Sequence, residues 1–207
     1  MHIVDGALSS PVVIGGTLLA VGGIALGLRK LPMEKIPAAG VLSATFFVAS
    51  LVHVPIGPSS VHLIMNGLAG LVLGWAAFPA LFVGLLLQAV FFGFGGLTVL
   101  GVNTLNIALP AVIVHFVCRA GVRSVSPMAA AIWGGIGGGL AIALTTGAVA
   151  IALALSGEEF LPAAKLVFFA HIPVMAIEAL LTAAAVYLAR RVKPELFGVL
   201  DAPGGMS

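Results

Sequence analysis

The chain has 207 residues, of which 61% are hydrophobic and only 8% charged. Soluble domains are roughly a quarter charged, so these proportions exclude a water-soluble globule and indicate an integral membrane protein. The isoelectric point near 9.0 is not a nucleic-acid signal, because the basic residues gather at the ends of apolar runs, where they orient a chain in a membrane.

A helical span needs roughly 20 mostly apolar residues. The pattern predicts seven, at about Leu8–Leu28, Ile36–Ile56, Ser59–Trp75, Phe78–Phe94, Thr104–Ala120, Pro127–Leu155 and Pro162–Val192. The expected fold class is an all-α integral membrane protein, a bundle of about seven transmembrane helices. Residues 1–192 are read as a single transmembrane domain, and 193–207, with Pro, Gly and acidic residues, as a flexible cytoplasmic tail. No internal repeat supports the inverted-repeat plan of many secondary transporters. Arg29, Lys30 and Lys35 follow the first span, Arg119 and Arg123 the fifth, and Arg190, Arg191 and Lys193 the seventh. Seven crossings place all three groups on one side, with Lys165 the exception. The positive-inside rule makes that side cytoplasmic, with the N-terminus outside and the C-terminus inside.

The densest chemistry stands at the start. No signal peptide is expected ahead of Met1, and a bulky His2 should block removal of Met1. The Met1 amine, the His2 backbone nitrogen and the His2 ring Nδ1 can bind one ion in two fused rings. His62, in Ser59-Ser60-Val61-His62, opens the third span and is expected on the same outer face, with Ser59 or Ser60 capping its helix. The helix dipole would then disfavour a protonated imidazole, and a metal needs the neutral ring. Nitrogen ligand sets of this kind suit Ni, Cu and Co. The alternative is a solvated His2 and an interfacial His62; His53 is read as interfacial. The stretch from Met1 to Gly6 could extend about 20 Å, far enough to fold back into a bundle.

Between spans four and five lies a glycine-rich stretch, Phe91 to Asn103. Asn103 either supports a metal ligand from behind or caps a helix; Asp5 is a second candidate for that supporting role. Gln88, His115, His171 and Glu178 are polar residues inside spans, where burial needs a reason. His171 and Glu178, seven apart, are expected to share a helix face; an interhelical hydrogen bond is preferred over a proton path. Small residues recur four apart at Gly16/Ala20, Gly23/Gly27, Gly134/Gly138 and Gly135/Gly139, flat strips for a neighbouring helix inside the bundle or in a partner. Cys118 is read as a packing residue. No lysine follows a glycine, so there is no phosphate-binding loop of the Walker type. Any active uptake must draw on an ion gradient or on other subunits. An intramembrane hydrolase using Ser60 and His62 is disfavoured, because residues two apart on a helix point in different directions.

Met1-His2-Ile3-Val4-Asp5-Gly6, Ser59-Ser60-Val61-His62 with Asn66-Gly67-Leu68, Leu87-Gln88-Ala89 through Gly96-Leu97-Thr98 to Gly101-Val102-Asn103, and His171-Ile172-Pro173 with Ile177-Glu178 together resemble the CbiM/NikM family. These are the substrate-binding S components of energy-coupling-factor transporters for cobalt and nickel. The resemblance covers nearly the whole chain apart from the tail. It implies a non-enzymatic metal-capturing subunit in a bacterial or archaeal cell (inner) membrane. Its implied partners are a CbiQ-like transmembrane coupling subunit, CbiO-like ATPases and a small CbiN-like accessory protein. It also implies metal ligation by Met1, His2 and His62. No cofactor is expected; Co(II) or Ni(II) is the bound substrate. The surroundings of His62 look more like the cobalt members, which usually serve cobalamin synthesis. Phe94 departs from relatives that carry His or Asp there. A stand-alone secondary carrier or channel is the competing reading.

Overall fold

The computed structural model describes residues 2–51, 53–56, 59–124 and 126–198. The chain is mostly helical: α1 (Ser10–Arg29), α2 (Ile36–Ala49), α3 (Asn66–Leu73), α4 (Ala77–Phe92), α5 (Leu100–Val122), α6 (Pro127–Ala154), α7 (Leu161–Ala170) and α8 (Ile172–Val192). Between α2 and α3 lie two short strands, β1 (His53–Ile56) and β2 (Ser59–His62), paired antiparallel with His53 opposite His62. Among the described residues, five helical stretches are long and apolar enough to cross a membrane. One of them, Asn66–Phe92, reverses direction at Gly74, which sits at φ +59. Its start is tied to α8 and its far end reaches His2, whereas the turn lies beside Lys30 and Lys35 at the other end of the bundle.

The strands correct the sequence reading. Span two was expected to run to Ile56 and span three to begin at Ser59, with His62 in a helix turn. Pro55 disfavours a helix there, because proline lacks a backbone donor and disfavours helical geometry in the residue before it. The β-branched Val54, Ile56 and Val61 favour strand instead. His62 therefore ends a strand, and α3 starts four residues later at Asn66, so neither serine caps a helix carrying His62. The long final span also divides. Pro173 cannot donate to the turn before it, and the helix breaks at His171, the residue between α7 and α8. His171 and Glu178 thus do not share one continuous helix; the His171 ring turns back to the Val167 carbonyl of α7 (2.6 Å). Pro194–Phe197 form a short 3-10 turn, with Phe197 buried and its carbonyl accepting from Arg123 (2.8 Å), so the packed unit reaches into the expected tail.

The glycine strips pack inside the bundle. A Cβ at Gly16 would overlap Val102 of α5, one at Gly23 would overlap Phe78 of α4, and Cβ atoms at Gly134 and Gly138 would overlap Val186 and Thr182 of α8. Backbones meet this closely only where side chains are absent, which is how helices associate in lipid without a hydrophobic driving force. Cys118 is buried in the same core. His115 joins α5 to the Gly70 carbonyl of α3 (3.1 Å), the interhelical bond expected of it. The basic residues close the end away from His2: Lys35 donates to the Val72 carbonyl (2.8 Å), Lys30 lies 5.6 Å from the Trp75 ring, and Arg190 donates to the Ser124 carbonyl (2.5 Å).

Candidate metal site

The segment before α1 folds back into the bundle, as its reach allowed. His2 is 3% exposed and Ile3 fully buried. A buried extended segment needs partners for its backbone groups, and one side chain satisfies both groups of Ile3. The Ile3 N–H donates to Asn103 Oδ1 (2.9 Å), and Asn103 Nδ2 donates to the Ile3 carbonyl (3.0 Å). Asn103 lies in the first turn of α5, so it is a clamp on the N-terminal segment and not a helix cap. Two residues on, the Asp5 N–H donates to the Gly95 carbonyl (2.8 Å). The Asp5 carboxylate accepts from the Thr98 hydroxyl, the Thr98 N–H (3.2 Å) and the Val99 N–H (3.3 Å). Gly96, at φ +124, leaves room for this carboxylate: a Cβ there would fall 2.0 Å from its carbon. The glycine-rich stretch and residues 2–6 thus form one folded unit.

This unit places the His2 ring on the His62 ring. Their centroids are 4.6 Å apart with an interplanar angle of 22°. Hydrogen bonds set the tautomer of each ring. Gln88 Nε2 donates to the Phe47 carbonyl (3.3 Å), which turns Gln88 Oε1 toward His2 Nε2 (2.7 Å). An amide oxygen only accepts, so His2 carries its proton on Nε2 and its lone pair on Nδ1. His62 Nδ1 lies 2.8 Å from the Leu63 carbonyl, which likewise only accepts, so the His62 lone pair is on Nε2. Orienting an imidazole by hydrogen-bonding its distal nitrogen is the usual device of metal-binding histidines. Burial pushes the His62 pKa well below the ordinary 6.5, so the ring is neutral at physiological pH. The neutrality expected from a helix dipole is supplied by desolvation instead.

Among the described residues no three His, Cys, Asp or Glu side chains gather to hold a metal ion. A divalent ion at the stacked rings would have two imidazoles, and its further nitrogen ligands would have to be main-chain groups. The His2 backbone nitrogen is at hand; Met1, the other expected donor, lies outside the described residues. Phe94 has its ring centroid 6.1 Å from that of His2 and stacks on Phe92. It contributes an apolar wall. Sequence reasoning singled out Gln88 as a buried polar residue and as part of a family motif, without pairing it with His2. Its position near the end of its expected span was the available signal, since only the fold brings it to His2.

Residues 2–196 match the CbiM family, described as the cobalt uptake substrate-specific transmembrane region. A Haemophilus influenzae protein assigned to metal transport is 41% identical over 198 residues, covering 95% of this chain and 96% of its own. The fused nickel transport protein NikMN of Rhodobacter capsulatus is 41% identical over 116 residues, covering 53% of this chain and 33% of its own. The crystal structure of a truncated transition metal transporter superposes with a TM-score of 0.72 at 28% identity, covering 93% of this chain and 99% of that one. With a transporter's fold, a match along nearly its whole length and relatives that transport metal, the chain belongs to the CbiM family of multi-pass cobalt and nickel transport membrane proteins.

Proposed function

We propose that this protein is the metal-capturing S component of an energy-coupling-factor importer for divalent cobalt or nickel, supplying cobalamin synthesis where cobalt is the cargo. The observation that carries this reading is the stacked His2–His62 pair, with lone pairs on His2 Nδ1 and His62 Nε2. With the Met1 amine and the His2 backbone nitrogen these make a four-nitrogen set. Such a set suits late first-row divalent ions, and selectivity among them must come from geometry and supply, because raw affinity favours Cu(II). The amine and the amide must each lose a proton on binding, so capture releases protons and strengthens as pH rises.

The chain crosses the membrane seven times in this reading, counting α3 and α4 as separate crossings and α7 with α8 as one. The end rich in Lys and Arg is cytoplasmic and the His pair faces outward. The sequence carries no nucleotide-binding loop, so ATP hydrolysis resides in CbiO-like partners coupled through a CbiQ-like membrane subunit. A relative named as a fused transport protein, NikMN, supports a further CbiN- or NikN-like partner. Reconstitution in liposomes tests the assignment. Tag-free protein alone should bind Co(II) or Ni(II) without accumulating it, and uptake should require the coupling and ATPase subunits with ATP. Concentrative uptake by this chain alone, abolished by a proton ionophore and indifferent to ATP, would instead identify a secondary carrier.

A further inference from the structure

Glu178 is fully buried in α8, and the metal site as described makes no use of it. Its Oε1 accepts from two consecutive backbone N–H groups, those of Ile64 and Met65 (2.9 Å for the second). These two residues lie between His62 and the start of α3. Met65 is the one non-glycine residue with positive φ (57°) among the described residues. An L-residue holds that conformation only when its surroundings fix it. The N-cap residue Met65 makes no side-chain cap for α3; the carboxyl group from α8 holds the two backbone N–H groups just ahead of the helix. The anchor is rigid. A Cβ at Gly138 of α6 would fall 2.7 Å from the Glu178 carbonyl oxygen, and one at Gly67 of α3 would fall 2.8 Å from the Gly138 Cα, so α3, α6 and α8 meet at this point. One residue beyond Met65, Asn66 Nδ2 donates to the Ile107 carbonyl and the Thr145 hydroxyl (2.9 Å each), fixing the following turn to α5 and α6. The Glu178 Oε2 is buried with no hydrogen-bond partner among the described residues, so the carboxyl group's hydrogen bonds there are those from the two N–H groups.

We infer that Glu178 is a positioning residue for metal capture. Its Oε1 locks Ile64 and Met65, and through the short link Leu63 it sets where the His62 ring stands against His2. The inference rests on the four-nitrogen reading of the site. The needed property is reach and acceptance, not charge. A Gln side chain offers the same oxygen at the same distance, whereas Asp keeps the charge but retracts it by one methylene.

The test is Cu(II) titration of tag-free, detergent-purified wild type, E178Q, E178D, E178A and H62A, following affinity and the visible d–d band, which moves to longer wavelength when a nitrogen ligand is lost. E178D and E178A should lose about 10–100-fold in affinity, the usual range for groups that orient metal ligands. Both should show the long-wavelength band of H62A, and E178Q should keep the wild-type affinity and band. Should E178A not fold, the comparison of Asp with Gln decides. Wild-type behaviour in E178D with loss in E178Q would overturn the inference in favour of a charge role. A wild-type band in E178A would reduce the residue to fold stability alone. An H62A protein indistinguishable from wild type would overturn the metal-site reading itself, and the positioning role with it.

Discussion

Asn103→Ala removes the amide that pairs both backbone groups of Ile3 (2.9 and 3.0 Å) and leaves an N–H and a carbonyl buried beside the His2 ligand. Each buried group without a partner costs about 1–3 kcal/mol. Two such groups cost about 2–6 kcal/mol, and partial relaxation of the segment brings this to about 3 kcal/mol. At about 1.4 kcal/mol per tenfold, the seated form of the N-terminal segment becomes roughly 100-fold less favoured. Metal binds the seated form, so apparent affinity falls with its population, by about 10–100-fold once the reserve of the wild-type segment is allowed for. Isothermal titration with Ni(II) on tag-free protein reads this directly. His115→Ala, at the opposite end of the bundle, is the control and should bind as wild type. An Asn103→Ala protein with unchanged affinity would refute the clamp as a determinant of the site, and equal losses in the two variants would point to general destabilisation.

Gln88→Leu leaves the His2 Nε2 proton without its buried acceptor and frees the ring to turn, so titration should show about a tenfold or greater loss of affinity. Gly96→Ala drives a Cβ to within 2.0 Å of the Asp5 carboxylate carbon at a φ of +124 that alanine avoids; the Met1–Gly6 segment should detach, seen as faster amide hydrogen exchange at Ile3 and Asp5 and loss of metal binding. The depressed His62 pKa makes stability pH-dependent. The folded ring stays neutral as pH falls through 6.5 while the unfolded ring takes up a proton, so the apo protein should lose stability below about pH 6.5 and regain it above. Thermal melts in detergent between pH 5 and 8 should show that slope reduced in His62→Ala, and an unchanged slope would show that His62 is not its source.

The membrane class and most helices were legible from hydropathy alone, since apolar runs of this length have no soluble explanation. Asp5 was read only as a support for a metal ligand, and its bonds to Thr98 and Val99 of the glycine-rich stretch became visible only in the fold. The β-hairpin was not legible. Its proline and glycine signals at Pro55, Gly57 and Pro58 were outweighed by the apolar residues around them, and two short strands leave no trace at the period of a helix. The stacking of His2 on His62, the Gln88 bond and the Glu178 clamp join residues 60, 86 and 113 or 114 positions apart. No local pattern encodes contacts of that kind. Asn103 was found because its position at the close of a glycine-rich loop is a local feature, though its partner, the backbone of Ile3, became visible only in the fold.

The four-nitrogen site is tested most directly by X-ray absorption at the nickel edge on tag-free protein loaded with one equivalent of Ni(II). The spectrum should show a low-coordinate shell made only of nitrogen, with the multiple scattering of two imidazole rings, and His62→Ala should lose one ring's contribution. A shell containing sulfur, a six-oxygen shell, or two-ring scattering that survives His62→Ala would contradict the assignment of the metal to His2 and His62.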